Sequence, residues 1–100
     1  MSTGDYARAE PLLQRSLEQY ERTLGDDHLD TLAAARRLGM LRERQGHPDE
    51  ALALFERVME GRMEHLGKDH PKTVVSRSDL GNCRVNALLL LAEGASPPFT

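Results

Sequence analysis

The chain has 100 residues, 39% of them hydrophobic and 29% charged, with four aromatics and no Trp, which fits one small soluble domain whose thin core is built from Leu and Ala. Its net charge of −3 gives no overall pull toward nucleic acid or anionic membrane, and the single cysteine, Cys83, excludes an internal disulfide and a cysteine zinc cluster. No segment approaches the roughly 20 apolar residues of a membrane span, and MSTGDYARAEP lacks the apolar stretch of a signal peptide, so a cytoplasmic location is expected.

The first predicted element covers residues 5–24, where Tyr6, Ala9, Leu13, Leu17, Tyr20 and Leu24 recur at helical steps of three and four. Pro11 lies inside it and should remove one backbone hydrogen bond. A break follows at LGDDHLDT, residues 24–31. Gly25 suits the left-handed conformation that ends a helix, and the Asp side chains after it can accept from the orphan N–H groups of the next one. The second helix, residues 30–45, is marked by Leu32, Ala35, Leu38 and Leu41. Gly46 ends it, and Pro48, Asp49 and Glu50 open the third, where a missing N–H and acidic side chains suit a helix start.

The third helix, residues 48–66, uses Ala51, Phe55, Val58 or Met59, and Leu66; Gly61 inside it should cost about 1 kcal/mol relative to Ala. LGKDHPKT, residues 66–73, forms the next break, with Pro71 pre-setting φ for a first turn. The fourth helix, residues 71–87, has a weaker pattern around Val74, Leu80, Cys83 and Ala87. It meets no glycine before Gly94, so it should run on through ALLLLA, leaving residues 94–100 as a disordered tail.

The two breaks are copies. A shift of 42 positions aligns thirteen identities, among them Gly25 with Gly67, His28 with His70, Thr31 with Thr73 and Gly39 with Gly81. A catalytic motif is needed once, whereas a structural joint is needed in every unit of a repeat. The expected organisation is therefore one all-α repeat domain over residues 4–93, with a first unit at 4–45 and a second at 46–87 that carries a helix extension.

The opening GDYARAEPL, the LGxDHP phrase and Leu38-Gly39 in the following helix resemble the tetratricopeptide repeats of the kinesin light chain type, over residues 4 to about 86. HEAT and armadillo repeats have similar lengths but do not explain the phrase. The resemblance implies antiparallel helix pairs stacked as a short right-handed solenoid, four helices in the order B-A-B-A, with A helices lining a concave groove that receives peptides. One departure is plain. Where that type carries an Asn-Asn pair on the A helix, this chain has Arg36-Arg37 and Ser78-Asp79, with Asn82 as the nearby amide.

The A helices hold seven basic residues against three acidic ones, a net of +4, and the B helices five against nine, a net of −4. If A helices line the groove, as the resemblance implies, Arg36, Arg37, Arg44, Arg77, Asn82 and Arg84 are the candidate peptide-binding residues and an acidic protein or peptide is the expected partner. The alternative is a solvated surface whose arginines pair with Glu one turn away. His28 and His70 invite a metal or acid-base role, but residues one repeat apart at helix starts point to a turn role. His47 and His65 add no ligand spacing, there is no HExxH, phosphate loop or nucleophile motif, and Cys83 reads as a buried small hydrophobe. No enzyme activity, metal, cofactor, nucleic-acid or membrane partner is expected. Two partial units read as a fragment or degenerate member of a longer array. A competing function is self-assembly through uncapped ends, with Leu88, Leu89 and Leu91 in the contact.

Overall fold

The repeated phrase is a helix-to-helix joint in which the Gly, the His and the Thr each have a separate task. A computed structural model describes residues 3–95, with side-chain burial for residues 6–92. Its helices are α1 (Thr3–Leu24), α2 (Leu29–Arg44), α3 (Pro48–Leu66) and α4 (Pro71–Ala95). Gly25 and Gly67 leave α1 and α3 at φ +94° and +87°, a conformation that costs glycine nothing because it has no Cβ.

The following helices are capped by imidazoles, not by the Asp side chains expected. The Asp30 N–H donates to His28 Nδ1 at 3.0 Å and the Lys72 N–H to His70 Nδ1 at 3.1 Å. Each ring thus serves as the acceptor for an orphan donor of the first turn. Thr31 and Thr73, both fully buried, close the joint by donating their hydroxyls to the Gly25 carbonyl at 2.8 Å and the Arg62 carbonyl at 3.3 Å.

Each helix packs on its neighbours in sequence, as in a solenoid. The shortest extent, 20 Å, equals two helix diameters, so the molecule is two helix layers thick. One core joins Leu17 of α1 to Leu32, Ala35, Leu38 and Leu41 of α2 and Val58 of α3; a second joins Ala51 and Phe55 of α3 to Leu80 and Cys83 of α4. α1 continues through Pro11.

The apolar pattern misplaces some of this core. Tyr20, Leu24 and Val74 are 37%, 41% and 46% exposed, while the polar residues Arg62, Thr73 and Ser76 are buried. The buried stripe of α4 is Thr73, Ser76, Leu80 and Cys83, which keeps helical spacing but is half polar. The hydroxyls tolerate burial because each is hydrogen-bonded, Ser76 Oγ donating to the Lys72 carbonyl at 3.0 Å.

Two glycines sit inside helices because of close packing. A Cβ on Gly39 would stand 2.8 Å from the Phe55 ring, and one on Gly61 would overlap the methyl groups of Leu32. Gly81, the repeat-equivalent of Gly39, has nothing within 4 Å. Gly81→Ala should therefore raise stability by about 1 kcal/mol through helix propensity. Gly39→Ala should lower it, because an overpacking cost of about 1–3 kcal/mol exceeds that gain. Denaturant titration of the two variants checks the contrast; equal shifts would remove it.

α4 outlasts α2 because Leu88 stands where Gly46 stops the earlier helix. It reaches Ala95, so Gly94 and Ala95 are helical and do not begin the tail as expected. Residues 96–100, the rest of that tail, lie outside the described residues.

Candidate functional site

Among the described residues no arginine of the A helices forms an ion pair one turn away, and two of them reach between helices: Arg36 Nε meets Asp79 Oδ2 at 2.6 Å, joining α2 to α4, and Arg42 pairs with Glu10 of α1. On the B side Arg57 pairs with Glu21 of α1 at 2.8 Å. A second polar link between α2 and α4 runs from Asn86 Nδ2, which donates to Glu43 Oε2 at 3.1 Å. The ion-paired side chains are partly buried at the surface, where such a pair adds about 1 kcal/mol, so their main effect is to orient the side chains.

The six expected peptide-binding residues accordingly fall into three groups. Arg36 is held by Asp79. Arg37 and Arg44, exposed and seven residues apart on one face of α2, flank Met40 at the edge of a shallow cavity of about 290 Å³ floored by Tyr6, Ala9 and Leu13 of α1. They enter no ion pair among the described residues. Asn82, exposed, takes on α4 the repeat position that Met40 takes on α2, so it belongs to the same face of the next A helix.

Arg77 and Arg84 lie on a different face. Their steps of three and four to Val74, Gly81 and Leu88 place them beside the uncovered side of α4, and the α2 residue equivalent to Arg77 is the buried Ala35. The apolar floor supplied by Tyr6 and Leu13 belongs to a B helix, so a charge count over A helices alone omits it. Its signal in the sequence is Met40, set midway between the two arginines.

Arg62, 7% exposed, donates from Nη1 to Ser76 Oγ at 2.7 Å and to the Lys72 carbonyl at 3.1 Å. Loss of solvation lowers its pKa below the ordinary guanidinium value; the nearby Arg36 cation adds to this and Asp79 opposes it. It ties the end of α3 to the start of α4. Burial, with smaller contributions from Glu43 and Asp49, pushes the Cys83 thiol up to about 11, and its S–H donates to the Pro48 carbonyl at 3.1 Å. A protonated, buried thiol at neutral pH is a packing group and no nucleophile.

The leucines expected to self-associate are exposed, Leu88 by 66%, Leu89 by 56% and Leu91 by 67%. Among the described residues no three His, Cys, Asp or Glu side chains gather as a metal site. Nor is any helix there long and apolar enough to cross a membrane.

Over the described residues four helices, two of whose joints use the same turn and each of which packs mainly on its neighbours in sequence, define an all-α helical repeat. The chain belongs to the tetratricopeptide repeat family, whose model matches residues 1–64. Repeats of this family mediate protein–protein interaction and are non-catalytic. No curated protein matches the chain.

Proposed function

We propose that the chain is a protein-interaction scaffold of the kinesin light chain type that binds an acidic peptide segment on the face formed by Arg37, Met40 and Arg44 of α2 and Asn82 of α4. The observation that carries this is the pair of exposed guanidinium groups, seven residues apart, beside an apolar cavity. Two turns of helix separate them by about 10 Å, the reach of a short peptide carrying two carboxylates. Each guanidinium takes a carboxylate in a fork, and an apolar side chain between the carboxylates enters the cavity. Asn82 supplies an amide to the peptide backbone on the neighbouring A helix. Arg36 orients α4 against α2 through Asp79 and leaves the ligand to its neighbour Arg37.

End-to-end stacking of identical chains has less support, because the α1 end that would meet the apolar and basic end at α4 is neither acidic nor broadly apolar along its outer stripe. The outer stripe of α1 is Leu12, Ser16, Gln19 and Thr23, mostly polar, whereas that of α4 is apolar and basic.

Reversing both charges with Arg37→Glu and Arg44→Glu should weaken an acidic peptide by at least about a hundredfold, since each reversal replaces an attraction with a repulsion. Arg36→Gln should weaken it by less than about threefold. Fluorescence anisotropy of a labelled peptide rich in Glu and Leu measures this, and equal affinity for the double variant and the parent chain would refute the site.

A further inference from the structure

Within the chain, α3 covers α2 along one face. Leu32 fits over Gly61, Ala35 is fully buried and Gly39 receives the Phe55 ring. The same positions one repeat later are Val74, Arg77 and Gly81 of α4, and no helix among the described residues covers them: Val74 is 46% exposed, Arg77 is exposed and a Cβ on Gly81 would meet nothing within 4 Å. Arg84 and Leu88, both exposed, continue the stripe at steps of three and four. α4 therefore keeps the relief of a helix-receiving face, a knob at Val74 and a hollow at Gly81, and adds two guanidinium groups to it.

We propose that this face of α4 docks an acidic amphipathic helix supplied by another protein. The incoming helix runs antiparallel to α4, with a bulky apolar residue seated on Gly81, a small residue against Val74 and carboxylates reaching Arg77 and Arg84. Continuity with the α2–α3 interface selects the shape. Charge selects the partner, because Arg77 and Arg84 enter no ion pair among the described residues, and the helix that fits the equivalent face, α3, is itself acidic, with five carboxylates against two arginines.

A second copy is a poor occupant. In α1 the counterparts of Phe55 and Gly61 are Leu13, already packed toward α2, and Gln19, which is not small. Pairing α4 with α4 would bring Arg77 and Arg84 of both copies into one seam. The surface is separate from the Arg37–Arg44 cavity and stands whether or not that cavity binds peptide.

The probe is a fluorescein-labelled peptide with the sequence of residues 48–66, titrated with the full chain and read by anisotropy. Saturable binding is expected. Gly81→Leu, and separately the pair Arg77→Glu and Arg84→Glu, should weaken it at least about tenfold. Added salt should weaken it too, and the titration is run in the Arg37→Glu and Arg44→Glu background, so that the α2 cavity does not take up the same acidic peptide. A Cβ at Gly81 would meet nothing within 4 Å and the position is exposed, so the circular dichroism and thermal midpoint of Gly81→Leu should match or exceed those of the parent chain. Absent binding, or binding indifferent to both sets of substitutions, would overturn the proposal. So would a concentration-dependent dimer that Gly81→Leu suppresses, because the face would then belong to a second copy.

Discussion

Phe55→Ala should destabilise the chain by about 3–5 kcal/mol, a large share of the roughly 5–15 kcal/mol that holds a typical domain together. Phe55 is 1% exposed and occupies the junction of both cores, its ring lying on Gly39 of α2 while it clusters with Leu80 and Cys83 of α4. Truncation opens a cavity that the glycine opposite cannot fill. The thermal midpoint should fall by more than about 10 °C. The two residues should also be coupled: Gly39→Ala should cost less in a Phe55→Leu background than alone, because the smaller side chain leaves room for the new methyl. Additive costs in that double-mutant cycle would show that the ring does not rest on the glycine.

Arg62 separates the effect of volume from that of charge. Arg62→Ala should destabilise by about 2–4 kcal/mol, since it empties a buried site and removes two hydrogen bonds between α3 and the start of α4. Arg62→Met should lie within about 1 kcal/mol of the parent chain. The thioether fills most of the same space, the cost of burying a guanidinium is relieved, and Ser76 keeps its hydrogen bond to the Lys72 carbonyl. Denaturant midpoints of the two variants decide. A Met variant as unstable as the Ala variant would mean that the guanidinium hydrogen bonds themselves hold the joint.

The helices and their joints are readable from the sequence because two periods coincide, the helical step of apolar residues and the 42-residue recurrence of the turn phrase. The glycines at 25, 46 and 67 all take positive φ, as their positions after apolar stripes imply. What hydropathy cannot reveal is a core that is partly polar. Thr73, Ser76 and Arg62 are buried because they hydrogen-bond one another's elements, and their partners lie 10 to 14 positions away.

The candidate site is less legible for a related reason. A charge count by helix gives the sign of a surface but not its pairing. Arg36 is held by Asp79 and Arg42 by Glu10, at separations of 43 and 32 residues, which no local pattern links. The 42-residue alignment does contain the clue to the second surface: Gly81 repeats Gly39, but among the described residues no helix repeats α3 upon it.

The most direct test of the proposed function is an amide correlation NMR spectrum of the labelled chain, recorded with and without an excess of an acidic peptide containing one leucine. The expected result is a compact set of shifts at Arg37, Met40, Arg44 and Asn82 and at the cavity floor around Tyr6 and Leu13, shrinking as salt is added. Shifts absent from α2, or confined to α4 around Gly81 and Leu88, would contradict peptide binding at the Arg37–Arg44 face.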